Sequence, residues 1–165
     1  MGLFQFVKEA GSKLLGSDEA EAALLNSDTA TPERLNAVKK MKIEEAIAAS
    51  ELPVISLEVA VNADQVVLSG EVSSQELAEK LTLIAGNQQG IAAVECQLTV
   101  KTLDPQSSTA IASIYQVKAG DTLGGIADAH YGDANQYMKI FEANTPMLSD
   151  PDKIYVGQSL RIPAA

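Results

Sequence analysis

At Pro53 the apolar pattern of the chain changes period, and that change dictates the architecture of its first hundred residues. Upstream, Leu35, Val38, Met41, Ile43 and Ile47 follow Thr31-Pro32, a pairing suited to a helix N-cap and first helical position. Downstream, Ile55, Leu57, Val59 and Val61 alternate with Ser56, Glu58 and Ala60. After the turn Asn62-Ala63-Asp64, Val66, Leu68 and Val72 resume that alternation. A period of two over both runs specifies a hairpin with one buried face. Ser73-x-x-Glu76 then reads as a capping box opening a second helix, with Leu77, Leu81 and Ile84 on one side. Gly86-Asn87 ends it, since both residues tolerate a left-handed backbone. Val94, Cys96, Leu98 and Val100 give a last strand in which Cys96 is a small core residue. The expected order is α-β-β-α-β, an α+β unit of a three-stranded sheet and two helices.

TLDPQSSTAIAS, residues 102–113, has the composition of a linker. Beyond it, Tyr115-Gln116-Val117 is a short strand and Lys118 to Asp121 a turn. Asp121 or Thr122 caps a helix through Leu123, Ile126 and Ala127. A second helix runs from Ala134 to Ala143, and Ile154, Tyr155, Leu160 and Ile162 close the unit. This is β-α-α-β in about fifty residues, close to the smallest core that folds unaided. The chain therefore divides into 1–101, the linker 102–113 and 114–163.

Composition removes several function classes. A net charge of −10 lacks the basic footprint that nucleic acid requires, and favours cations only diffusely. No run approaches the roughly 18 apolar residues of a membrane span. The opening MGLFQFVKEAG has no basic residue before its apolar stretch, which Lys8 and Glu9 interrupt, so it does not read as a secretory signal. Phe6 stands where a myristoylation signal wants Ser or Thr. A cytoplasmic protein is expected. An enzyme is not: His130 is the one histidine, and no Ser/His/Asp set, Cys/His pair, phosphate loop or zinc spacing can be drawn. The opening itself is compatible with a helix packed on the sheet, an interfacial helix, or an arm that helps to build a site. The acidic stretch 16–31 reads as a loosely held connection.

YQVKAGDTLGGIADAHYGDANQYMKIFEANTPMLSDPDKIYVGQSLRIP resembles a LysM module nearly end to end. The resemblance rests on Gly120 to Leu123, Tyr131-Gly132, Ile140 with Asn144, and Ile154-Tyr155-x-Gly157-Gln158-x-Leu160-x-Ile162-Pro163. Residues 32–101 resemble a BON domain through Val66 to Val72 and Gly90 to Val94. With MGLFxFVKxAG in front, the tandem resembles the BON–LysM family of cytoplasmic potassium-binding proteins.

That resemblance implies a K⁺ ion held in the BON half by backbone carbonyls. Carried over by position, these belong to Val7, Lys8 and Ala10 in FVKEAG, and to Gly86, Gln88 and Ile91 in AGNQQGI. The sequence departs from the family pattern at Gln88, where an apolar residue is tolerated. Neutral carbonyl dipoles suit a large monovalent cation, whereas carboxylate cages suit Ca²⁺. The implied role is a monomeric ion sensor, linked to osmotic stress, with LysM as partner or stabilising module. A LysM module also implies a groove for N-acetylglucosamine-containing glycan between Gly120, Asp121, Thr122 and Leu123 and the loop Thr145, Pro146, Met147 and Leu148. Envelope glycan binding is thus the competing reading. A membrane-surface role, suggested by other BON domains, is opposed by the negative charge.

Overall fold

The computed structural model describes residues 2–5, 31–88, 90–101 and 112–164, with the backbone alone described for 2–5. Most of the acidic connection, the linker and the site residues Val7, Lys8 and Ala10 lie outside that range.

The BON half is α+β, as the change of period at Pro53 implies. Helix α1 (Pro32–Ala49) begins at Thr31, whose hydroxyl accepts from the Arg34 N–H. It leads into the hairpin β2 (Val54–Asn62) and β3 (Gln65–Val72), then helix α2 (Gln75–Gly86) and strand β4 (Ala93–Val100). Strands β3 and β4 are parallel, and α2 is the crossover such a pair needs. The three expected strands are joined by a fourth: β1 (Gly2–Gln5) lies antiparallel to β4, giving the order β1-β4-β3-β2. The start of the opening segment is therefore an edge strand, not a helix. Alternation was too short over four residues to be read against the apolar run around it.

Helices α1 and α2 cover one face of this sheet, around Ile43, Val66, Leu68, Val72, Leu81, Leu83, Ile91 and Val94. Met41, expected in the α1 stripe, is exposed. At about 100° per residue it lies on the opposite side of the helix from Ile43. The inner stripe instead runs through Asn36, Lys39, Ile43 and Ile47, polar at its first end and apolar at its second. Helix α2 is capped by Ser74, one residue later than the capping-box reading, because the Ser74 hydroxyl accepts from the Leu77 N–H. Gly70 has a φ of +135° opposite an irregularity in β2, and a Cβ there would collide with the Ser56 carbonyl. The glycine within the Val66 to Val72 stretch thus permits the bulge.

The LysM half is β5 (Ser113–Gln116), α3 (Leu123–Tyr131), a 3₁₀ turn (Ala134–Gln136), α4 (Tyr137–Ala143) and β6 (Ser159–Ile162). Strands β5 and β6 pair antiparallel, and Val117, Leu123, Ile126, Ile140, Leu148 and Leu160 form its core. Thr122 caps α3 by accepting from the Gly125 N–H.

Candidate functional site

Three of the six expected carbonyls lie in the segment that joins α2 to β4. Gly86 is the last residue of α2, where carbonyls run out of intrahelical partners. The Gln88 carbonyl accepts the Ile91 N–H at 3.3 Å. The cap residue Asn87 is not left-handed as expected. The chain turns at Gly90 instead, with a φ of +78°. The Gln88 side chain is buried and folds back on its own helix, donating at 3.4 Å to the Ile84 carbonyl.

The sheet register fixes where the opening segment leaves the fold. Gln5 stands opposite Ala93, the first residue of β4, and β1 runs antiparallel to β4. Gln5 thus stands at the end of the sheet where β4 begins. Among the described residues no group of three His, Cys, Asp or Glu side chains could hold a metal ion, and no helix is long and apolar enough to cross a membrane.

The turn at 86–91 is also where the two halves meet. The Asn87 carboxamide donates to the Ser159 carbonyl and accepts from the Ser159 N–H, both at 3.0 Å. Asn144 does the same two residues further along β6, accepting from the Arg161 N–H at 2.7 Å and donating to its carbonyl at 2.8 Å. The edge of β6 that does not face β5 is therefore closed by two carboxamides, one from each half. About two helical turns before Asn87, Glu79 accepts from Arg161 Nε at 2.6 Å, and both side chains are buried. Gln75 donates to the other Glu79 oxygen at 3.1 Å. Ile114 and Met147 from the LysM half pack against the BON core. The sequence marks Asn87 only as a helix stop and Glu79 and Arg161 not at all, because a partner supplied by another domain leaves no local pattern.

The proposed glycan loops are partly spoken for by folding. Leu123 and Leu148 are core residues. Asp121 accepts from the Lys118 N–H and the Tyr115 hydroxyl, each at 2.8 Å, which holds its carboxyl below the usual range and pushes the Tyr115 phenol up. Thr122 is the α3 cap, and the Thr145 hydroxyl donates to the Phe141 carbonyl. Gly120, Thr145 and Pro146 are exposed, while Met147 is half-buried and receives the Asn87 amide at its sulfur, 3.1 Å away.

Comparison with known proteins finds two domain families in the chain. The BON domain profile matches residues 37–102 and the LysM domain profile residues 115–163. The potassium binding protein Kbp of Escherichia coli O6:H1 (strain CFT073) is 40% identical over 164 residues, covering 99% of each chain. An uncharacterized protein of Deinococcus radiodurans R1 is 32% identical over 113 residues, which is 65% of this chain and 44% of that one. The two domains in this order, matched from end to end by one relative, make the chain a member of the Kbp family of BON–LysM proteins.

Proposed function

We propose that the protein binds K⁺ in its BON half, through the main-chain carbonyls of Val7, Lys8, Ala10, Gly86, Gln88 and Ile91, and serves as a cytoplasmic, monomeric K⁺ sensor. The observation that carries this reading is the pairing of Gln5 with Ala93. Val7 is two residues beyond Gln5, and Ile91 two residues before Ala93, so a span of roughly 7 Å of chain suffices to bring the two carbonyl groups together. A carbonyl oxygen has two lone pairs, so those at the end of α2 and in the turn after it have capacity for a cation. The negative end of the α2 dipole faces the same place. An ion with a soft hydration shell fits such a set, since each neutral dipole replaces one water. The name of the relative from Escherichia coli supports the same ion.

In this account LysM is a docked partner that steadies the ion-bearing turn through Asn87. A second reading, glycan recognition by LysM, is favoured by the family match alone, and Met147 in its second loop is already engaged by α2.

Calorimetric titration of the full chain with KCl, in a buffer free of alkali ions, tests the proposal. Saturable heat with KCl and none with NaCl at equal ionic strength is expected; a flat KCl trace ends it. Gln88→Ala should keep K⁺ affinity within about threefold, because the side chain points back along α2 and only its carbonyl is a ligand. Loss of more than tenfold at unchanged stability would make the carboxamide itself a ligand.

A further inference from the structure

A thioether sits where the two apolar cores touch. Met147 follows α4, and among the described residues it is the one apolar side chain packed against both cores. Its Sδ accepts from Asn87 Nδ2 at 3.1 Å. The same nitrogen donates to the Ser159 carbonyl, and the carboxamide oxygen accepts from the Ser159 N–H, both at 3.0 Å. The clasp between α2 and β6 therefore rests against a sulfur. Asn87 is buried, but Met147 is only half-buried. It lines a small cleft between the halves with Lys80, Leu83 and Ile84 of α2 on one side and Thr145 and Pro146 on the other. Thr145 and Pro146 are exposed, so a small solute can approach the sulfur from that side.

We infer that Met147 is a redox-sensitive latch: oxidation of its sulfur by a peroxide loosens the docking of the LysM half on α2. In that step a sulfur lone pair attacks one peroxide oxygen, and an S–O bond forms as the O–O bond breaks. The transferred hydroxyl gives its proton to the departing hydroxide, so water leaves. Sulfur loses two electrons and the peroxide gains them. The product is a sulfoxide, polar where the thioether was apolar and adaptable. The Asn87 nitrogen leaves no room for an oxygen between itself and the sulfur, since an N–H···O bond alone spans about 2.9 Å. Either the sulfur retreats and the Asn87 clasp on Ser159 shifts with it, or the oxygen turns unpaired toward Leu83 and Ile84. The second arrangement costs the free energy of a buried polar group without a partner. Both weaken the junction. Met41 and Met138 are exposed, so an oxygen on either one disturbs no core.

The test treats the full chain with hydrogen peroxide, follows each methionine by peptide mass spectrometry, and reads amide hydrogen exchange by NMR. Sulfoxide at Met147 should lower the thermal midpoint by about 3 °C or more. It should also speed exchange of the Ser159 amide by at least about tenfold. The Val117 amide, bonded within LysM to the Gln158 carbonyl at 2.8 Å, should change less than about twofold. Treatment with methionine sulfoxide reductases should reverse both effects. Met41→Leu combined with Met138→Leu should respond as the unaltered protein does, whereas Met147→Leu should not respond. Met147 remaining reduced after Met41 and Met138 are fully converted overturns the inference. So does sulfoxide at Met147 with Ser159 exchange unchanged, or an undiminished response in Met147→Leu. Should Met147→Leu fail to fold, the combined surface variant decides: its Ser159 exchange must rise in proportion to the sulfoxide at Met147, and a rise that tracks Met1 instead overturns the inference.

Discussion

Glu79→Ala should cost the protein about 3–5 kcal/mol of stability, because it strands a buried guanidinium. Glu79 and Arg161 meet at 2.6 Å with side chains 5% and 9% exposed. Water cannot take the place of the missing carboxylate without opening the junction between α2 and β6. The loss should fall on both halves together, since the pair joins them. Glu79→Leu with Arg161→Leu should recover most of it: two apolar side chains of similar bulk need no partner, whereas either one alone leaves a buried charge. Urea unfolding followed by circular dichroism reads both effects as midpoint shifts. A cost below about 1 kcal/mol for Glu79→Ala would mean that the pair behaves as a solvated surface bridge, and that the halves do not stay docked as described.

Separating the opening arm from the turn should remove K⁺ binding by at least a hundredfold, because three of the six proposed ligands belong to residues 7–10. Deleting residues 1–11 does this bluntly and also strips β4 of its edge partner. Inserting Gly-Ser between Gln5 and Phe6 is the sharper variant. Strand β1 keeps its register against Ala93 to Cys96, while every carbonyl beyond it is displaced. In the unaltered protein, K⁺ at a hundred times its Kd should add about 2.7 kcal/mol to stability, and NaCl at the same ionic strength should add none. Neither altered protein should show that K⁺-specific gain. If the insertion variant binds K⁺ as tightly as the parent, the arm is an edge strand and nothing more.

Periodicity made most of this fold legible. Alternation through Val59, Val66 and Val72 identified strands by which residues must be buried, and those three are buried. The turn at 86–91 was likewise marked, since glycines at 86 and 90 interrupt an apolar helix. What could not be read was contributed by distant partners. β1 is a strand because β4 offers it an edge, and four residues of mixed pattern carry no such information. Asn87 looked like a helix stop and also clasps Ser159, 72 residues away in sequence. Lys39 sat at an unremarkable position of α1, and its bonds to Ala63 and Gly90 depend on two turns folding against that helix. Met41 has roughly helical spacing to Val38 but stands about 200° around α1 from Ile43, so it is exposed although its spacing fits an apolar stripe.

Locating the ion tests the central claim most directly. Crystals of the full chain grown with RbCl or a thallium(I) salt in place of KCl give an anomalous signal from the bound cation. A single strong peak surrounded by the carbonyl oxygens of Val7, Lys8, Ala10, Gly86, Gln88 and Ile91, with no carboxylate in contact, is the predicted result. A peak held by side-chain carboxylates, or one in the LysM half, would contradict the account.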